Sequence, residues 1–85
     1  MSTYRLLYSN EALKDIKRLS PKLAKKLKEI LEIVIAVVPH SGKKLVGDLQ
    51  GCHSFRLTLK DRILYSIDDN KKTVYIHRAR THYGE

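Results

Sequence analysis

The apolar positions at the start of the chain predict a short strand followed by a helix. Residues 4–8 form a β-like run, and Ser9 or Asn10 can cap the helix that follows. The apolar residues of this helix recur at helical spacing: Leu13, Ile16 and Leu19. The polar residues between them are expected to face solvent: Lys14, Asp15, Lys17 and Arg18. Because Ser20 suits an N-cap and Pro21 a first helical position, a second helix is expected to begin there.

A longer amphipathic pattern covers residues 21–37. Its apolar side chains repeat at intervals of one helical turn: Leu23, Leu27, Ile30, Leu31, Val34 and Val38. Its opposite face carries lysines: Lys22, Lys25, Lys26 and Lys28. Such a stripe is typical of a surface helix packed on a core. The two helices are therefore expected to form an αα-hairpin, which Pro39 and Gly42 end by opening a loop.

Beyond this loop, which extends to about Gly51, the apolar period changes to two. One set of side chains is expected to point to the core: His53, Phe55, Leu57 and Leu59. A turn near residues 60–61 leads into a second strand, residues 63–67, where Tyr65 is expected to be buried. Residues 68–70 have hairpin-turn chemistry, and a last strand is expected from about Thr73 to Arg80.

These elements predict an α+β fold with the order β-α-α-β-β-β in one domain, residues 1–85. The last three strands are expected to form an antiparallel meander, which the N-terminal strand joins. The helix pair is expected to cover one face of this small sheet, which leaves the other face open to solvent. Chains of this size have room for one modest core.

The net charge of the chain indicates that this small domain binds a polyanionic partner. Seventeen Lys and Arg against nine Asp and Glu give a formal net charge of +8 and a pI of about 9.8, which is typical of nucleic-acid binders. A solvated basic surface or an acidic protein partner are the alternatives. One cysteine excludes an internal disulfide and favours a reducing compartment, the cytoplasm. No apolar run predicts a membrane span or a signal peptide, and no metal or other cofactor is expected.

Basic residues recur on the predicted strands and in the loop before them. Arg56 lies on the polar face of the first meander strand and Arg62 opens the second strand, and arginine forks suit phosphate oxygens. Further basic residues are expected to contact nucleic acid around this pair: Lys43, Lys44, Lys60, Arg78 and Arg80. The alternative for these side chains is that they only protect surface strands from aggregation.

His82 and Tyr83 follow the last predicted strand, where packing requires neither an imidazole nor an aromatic ring. A histidine is a good acid or base near neutral pH, and the alternative is a frayed terminus without a role. His53 is expected near the core, because it shares a strand face with Phe55. The chain has no glycine-rich phosphate loop, no defensible Ser-His-Asp set and no usefully spaced carboxylate pair. The sequence therefore favours metal-independent acid/base cleavage of RNA, in which the 2′-hydroxyl of the RNA is the nucleophile.

Several segments, in this order and spacing, resemble the RelE/ParE toxin superfamily of toxin–antitoxin systems over nearly the whole chain. The matching segments are residues 9–19 for the first helix, 42–45 and 49–51 for the loop before the sheet, 55–57 and 62–65 for the central strands, and 79–83 for the Arg-x-His-Tyr ending of the YoeB-like branch. The resemblance implies a compact toxin that enters the ribosomal A site and cuts mRNA.

Site roles follow from the resemblance by position. Arg56 and Arg62 would bind the scissile phosphate and stabilise its charge. His82 would be the general acid, and Tyr83 would orient the base or assist proton transfer. The YoeB-like branch has a catalytic glutamate in the loop where this chain has lysines. The general base is therefore left open; His82 could take that role, with a lysine or water completing the acid step.

The resemblance also implies partners and alternative functions. The expected partners are the ribosome with its mRNA, and a cognate antitoxin that is acidic and partly disordered. The ParE branch shares the fold but poisons DNA gyrase and is not a nuclease. A degenerate member that only binds RNA or antitoxin is the third possibility.

Overall fold

The computed structural model describes residues 3–47 and 50–81, and of Thr81 only the backbone. Two helices and five strands follow one another in these ranges, with a π-helical segment that extends the second helix and a 3-10 turn after it. Their bounds are β1 (Arg5–Tyr8), α1 (Asn10–Lys17), α2 (Pro21–Glu29), the π-helical segment (Ile30–Ile35), the 3-10 turn (Pro39–Ser41), β2 (Lys43–Lys44), β3 (Cys52–Arg56), β4 (Arg62–Asp68) and β5 (Thr73–Thr81).

The strands form one sheet in the order β1-β5-β4-β3-β2. Strands β3, β4 and β5 are the antiparallel meander that the sequence predicts, and β1 joins it parallel to β5, so the sheet is mixed. The α+β fold class is confirmed. Strand β2, which pairs antiparallel with β3, lies in the predicted loop. Its two residues are too few to show an alternating pattern.

Helix α1 begins where the sequence predicts but faces the sheet with different residues. The Ser9 hydroxyl accepts a hydrogen bond from the Ala12 amide at 3.0 Å and donates one to the His77 carbonyl at 2.7 Å, which ties the helix start to β5. Ala12 is fully buried and Asp15 is 7% exposed, whereas Leu13 is 45% exposed. The predictions for Leu13 and Asp15 are therefore wrong, because the helix packs on β5 through the small side chain of Ala12.

Helix α2 has the cap and the apolar stripe that its pattern predicts. The Ser20 hydroxyl accepts from the Leu23 amide at 3.3 Å. Of the predicted stripe, Leu27 and Leu31 are buried, and Leu23, Ile30 and Val34 are half-buried. Ile35, which the prediction omits, is also buried. The prediction of a buried Val38 is wrong, because this residue follows the end of the helical segment and is exposed. Within residues 3–47 and 50–81, no helix is long and apolar enough to cross a membrane.

The core lies between the helices and one face of the sheet. The helices contribute Leu27, Leu31 and Ile35, and the central strands contribute Ile63, Tyr65, Val74 and Ile76. Tyr65 is fully buried as predicted, and its hydroxyl donates to the Pro39 carbonyl at 2.6 Å. The prediction for Leu59 is wrong: β3 ends at Arg56, so Leu59 lies in a turn and is 87% exposed.

Gly42 is required because the Tyr65 side chain and the backbone of β3 lie close to it. A Cβ at this position would lie 2.0 Å from the Tyr65 hydroxyl oxygen and 2.8 Å from the Ser54 carbonyl oxygen. Gly42→Ala is therefore expected to lower the free energy of unfolding by about 1–3 kcal/mol through overpacking. Urea denaturation measures this decrease.

A double-mutant cycle tests the proposed cause. Tyr65→Phe removes the hydroxyl nearest to the added methyl, so the double variant should lose less stability than the sum of the single changes. Ser41→Ala, at an exposed neighbouring position, is the control. Strict additivity of Gly42→Ala and Tyr65→Phe would contradict the explanation.

Candidate functional site

Arg56 and Arg62 lie directly opposite each other at the end of the β3–β4 hairpin. Strand alternation places both on the sheet face away from the helices, because the neighbouring pair Phe55 and Ile63 faces the core. Arg56 is exposed and Arg62 is half-buried. Like charges directly opposite each other across two strands destabilise a sheet. This cost is relieved when an anion bridges the two guanidinium groups.

The predicted lysines do not all share this face. Lys43 pairs with Ser54 and therefore points to the same side as Arg56, whereas Lys44 pairs with His53 on the opposite side. Lys60 lies in the turn between β3 and β4, rather than on a strand, and is exposed. Lys43 thus lies on the same sheet face as the arginine pair. Lys60 lies in the turn between the two arginines and is near them along the chain.

Arg78 and Arg80 are each bound to a buried carboxylate instead of lying free on the sheet. Arg78 donates from Nε and Nη2 to the two oxygens of Asp15, at 2.8 and 3.0 Å. Arg80 donates from Nε to Oδ2 of Asp61 at 3.0 Å. The Arg78 hydrogen bond holds the pKa of the Asp15 carboxyl below its usual value, and the same bond raises the pKa of Arg78.

Asp15 also completes the backbone hydrogen bonding of an irregular stretch of β5. The pairing of β5 with β4 shifts register on either side of Leu64. The amides of Ala79 and Arg80 donate to Oδ2 of Asp15 at 3.2 and 3.4 Å instead. A buried amide without a partner is costly, so this carboxylate stabilises the end of β5.

The sequence contained one signal for the role of Asp15. Ala12, Asp15, Ile16 and Leu19 have the spacing i, i+3, i+4 and i+7 of a buried helix face. The polar Asp15 conceals this pattern, because a carboxylate is normally assigned to the solvent side. Its partner is 63 positions away along the chain, and only the tertiary structure identifies it.

His77 lies apart from the arginine pair. Its Nε2 is 2.8 Å from the Ser66 hydroxyl on β4. Ser66 is four positions beyond Arg62 on the same strand, which corresponds to about 13 Å at the usual rise per strand residue. His77 is therefore too distant to exchange protons at a phosphate held by the arginines.

His53 packs near the core, as the sequence predicts. Its ring stacks on Tyr65 with the ring centroids 5.7 Å apart, and His40 approaches its edge at 5.7 Å. Burial lowers the pKa of His53, and the nearby His40 and Lys44 lower it further. Its Nδ1 is buried and makes no hydrogen bond to the described residues.

The lowered pKa of His53 predicts how stability depends on pH. The unfolded chain binds a proton near the usual histidine pKa of 6.5, whereas the folded protein binds it only at lower pH. Stability should therefore fall as pH drops below 6.5 and through the folded pKa. Urea denaturation should show a smaller decrease between pH 7 and pH 5 in His53→Gln than in wild type. An equal decrease in both proteins would contradict this.

The remaining predicted residues, His82 and Tyr83, lie outside the described residues. The described part of β5 ends at Thr81, which pairs with Arg62. His82 is therefore the next residue along the chain after the partner of Arg62. Among residues 3–47 and 50–81, no three His, Cys, Asp or Glu side chains are grouped so that they could hold a metal ion.

Comparison with known proteins gives structural matches only. No family model and no curated protein sequence matches the chain. A chain of the toxin–antitoxin complex RelBE2 from Mycobacterium tuberculosis is 30% identical and has a TM-score of 0.85; the match covers 100% of this chain and 97% of that chain.

Two further structures extend this similarity to other bacteria. A chain of the YoeB–YefM complex from Staphylococcus aureus is 25% identical with a TM-score of 0.73, over 94% of this chain and 98% of that chain. The YoeB/ParE toxin from Agrobacterium tumefaciens is 21% identical with a TM-score of 0.81, over 93% of this chain and 99% of that chain, and its similarity concerns the fold alone.

Proposed function

Because this chain belongs to the RelE/YoeB-like toxin superfamily of toxin–antitoxin systems, we propose that it is a ribosome-dependent endoribonuclease that cleaves mRNA in the A site and so inhibits translation. The observation that carries this proposal is the Arg56–Arg62 pair. The strand register places the two arginines directly opposite each other on the sheet face away from the helices, and neither forms an ion pair with a carboxylate among the described residues. A phosphodiester is the ligand that this pair suits best.

The arginine pair can act on charge that develops during RNA cleavage. The 2′-oxygen of the substrate attacks the adjacent phosphorus, and the bond from phosphorus to the 5′-oxygen of the next nucleotide breaks. Negative charge grows on the non-bridging oxygens in the transition state. Arg56 and Arg62 would hold the phosphate and stabilise this charge, which is the type of interaction that usually contributes most to rate.

Proton transfer is assigned to the C-terminal residues by family resemblance. His82 would protonate the leaving 5′-oxygen, and Tyr83 would assist. The 2′-hydroxyl must lose a proton in the same reaction, and its acceptor stays open between His82 and another group. Lys43 and Lys60 would bind the RNA backbone around the scissile phosphate, in a manner independent of sequence.

We also propose a cognate antitoxin as the partner that keeps the protein inactive. RelBE2 and YoeB–YefM are complexes of a toxin with its antitoxin. The formal net charge of +8 favours an acidic partner. An acidic, partly disordered segment that folds on binding can cover a large basic surface.

Cleavage of a defined mRNA on purified ribosomes, mapped by primer extension, tests the nuclease proposal. The expected result is a cut inside the A-site codon that requires ribosomes and is abolished in His82→Ala. Ribosome binding without a cut would overturn the nuclease proposal in favour of a blocking role. Neither cut nor binding would favour a gyrase-directed toxin, which accumulation of double-strand DNA breaks would reveal.

A further inference from the structure

A charged cleft lies between α1, the turn before β4 and the end of β5. It has a volume of about 330 Å³ and is lined by Asp15, Arg18, Asp61, Arg78 and Arg80. Three cations and two carboxylates leave one net positive charge in the cleft. The positions of these charged groups, more than their net charge, determine which ligand the cleft can bind.

Each carboxylate is buried and binds an arginine that is partly exposed to solvent. The side chains of Asp15 and Asp61 are 8% and 5% exposed, whereas those of Arg78 and Arg80 are 40% and 44% exposed. Arg80 uses only its Nε in the ion pair, and Arg78 uses Nε and Nη2. Toward the described residues, Nη1 of Arg78 and both Nη atoms of Arg80 donate no hydrogen bond. These donors are available at the solvent side of the cleft.

Both carboxylates are themselves fixed by the fold. Asp15 accepts from two amides of β5, and Asp61 accepts from the Thr58 hydroxyl at 3.2 Å. The amide of Asp61 donates to the Thr58 hydroxyl oxygen at 2.9 Å. A guanidinium held along one edge by a fixed carboxylate has few remaining rotamers, so its conformational entropy decreases little when it binds an anion.

The cleft and the Arg56–Arg62 pair lie at the same end of the sheet. Asp61 immediately precedes Arg62, and Arg80 immediately precedes Thr81, the partner of Arg62. An RNA strand carries a phosphate at every nucleotide. A strand whose scissile phosphate lies on the arginine pair therefore has further phosphates within reach of this end of the sheet.

We infer that this cleft is a second phosphate-binding subsite, which holds a backbone phosphate of RNA flanking the scissile one through Arg18, Arg78 and Arg80. Asp15 and Asp61 are positioning residues for this subsite. The inference rests on the proposed function, because it assigns RNA as the ligand. The planar forks of the arginines match phosphate oxygens. Two cleft residues, Asp61 and Arg80, each directly precede a member of the cross-strand pair Arg62–Thr81.

Binding of a 5′-fluorescein-labelled single-stranded oligoribonucleotide, without ribosomes, tests the subsite. Fluorescence anisotropy at several salt concentrations gives the slope of log K against log salt. Arg18→Gln and Arg80→Gln are each expected to weaken binding and to reduce that slope by about 0.7 for each RNA phosphate that the variant no longer neutralises. Lys25→Gln, which removes the same charge from an exposed position on α2, is the matched control and should leave the slope unchanged.

Asp61→Asn separates a positioning role from simple charge neutralisation. Removing a negative charge should tighten RNA binding if Asp61 only offsets Arg80. If Asp61 positions Arg80, binding should weaken instead. The double variant Asp61→Asn/Arg80→Gln should then bind no more weakly than Arg80→Gln alone. Circular dichroism and thermal unfolding confirm that each variant is folded, and the Arg18 and Arg80 variants test the subsite even if Asp61→Asn fails to fold.

Three results would overturn the inference. They are tighter RNA binding by folded Asp61→Asn, an equal slope change in Lys25→Gln and Arg80→Gln, and weaker binding of an acidic antitoxin peptide with unchanged RNA binding in Arg80→Gln. The last result would assign the cleft to the protein partner. Cleavage by wild type on ribosomes is measured separately, so failure of the nuclease proposal is distinguishable from failure of the subsite.

Discussion

Replacing Arg62 with glutamine is expected to slow A-site cleavage by about 10²–10³-fold, the usual effect of removing one donor that stabilises transition-state charge. Arg62 lies opposite Arg56 and next to the end of β5, so its guanidinium is central to the proposed phosphate site. Single-turnover cleavage of mRNA on programmed ribosomes measures the rate. Arg56→Gln should have an effect in the same direction.

The same substitution is expected to leave stability equal or higher. Arg56 and Arg62 repel each other across the hairpin, and relieving a like-charge cross-strand pair is worth about 0.2–1 kcal/mol. Loss of activity together with unchanged or greater resistance to urea would therefore identify a pair retained for ligand binding. Arg5→Gln is the matched control, because Arg5 is an exposed arginine on the far edge strand β1. Full activity in Arg62→Gln, or equal decreases in Arg62→Gln and Arg5→Gln, would remove Arg62 from the site.

Replacing Asp15 with alanine is expected to lower the free energy of unfolding by about 2–4 kcal/mol, somewhat less than the effect of removing one partner from a fully buried ion pair. The change leaves Arg78 and the amides of Ala79 and Arg80 without their acceptor. The 40% exposure of Arg78 reduces the cost, because water can replace part of the interaction. Urea denaturation at pH 7 measures it.

Glu11→Ala is the control for Asp15→Ala, because Glu11 is an exposed acidic residue in the first turn of the same helix. Its removal should cost no more than about 0.3–1 kcal/mol through the helix dipole. Equal effects of the two substitutions would show that the hydrogen bonds of Asp15 to β5 add nothing to stability.

The Asp15 contribution should also depend on pH. Because Arg78 lowers the pKa of Asp15, the stabilisation is fully present above the usual aspartate pKa of 3.8 and disappears as pH falls through the folded value. The stability difference between wild type and Asp15→Ala should accordingly shrink when the urea measurement is repeated in acid. A difference that stays constant below pH 3.8 would contradict the ionic origin of the effect.

Features that depend on local periodicity can be predicted from the amino-acid sequence alone. The one-turn spacing of Leu27 and Leu31 identified the second helix, and the alternation around Tyr65 identified a buried strand. The sequence also predicts Arg56 and Arg62 on neighbouring strands, but their direct pairing follows only from the structure, because β3 ends at Arg56 and not near Lys60. In each case the partners are near in sequence, or the signal repeats several times.

Features that depend on contacts between distant residues follow only from the packing of the folded chain. Packing of α1 against the sheet buries Ala12 and Asp15 and leaves Leu13 exposed. The carboxylate of Asp15 accepts a hydrogen bond from Arg78, which is 63 positions away along the chain. Strand β2 forms by pairing with the edge of β3. Its two residues are too few to show an alternating pattern, so the sequence does not predict it. Arg78 and Arg80 were recognised as basic strand residues, but their conversion into a carboxylate-anchored cleft required two further elements to meet at the end of β5. The order of residues along the chain does not reveal such contacts, because their free energy comes from groups that are brought together only by folding.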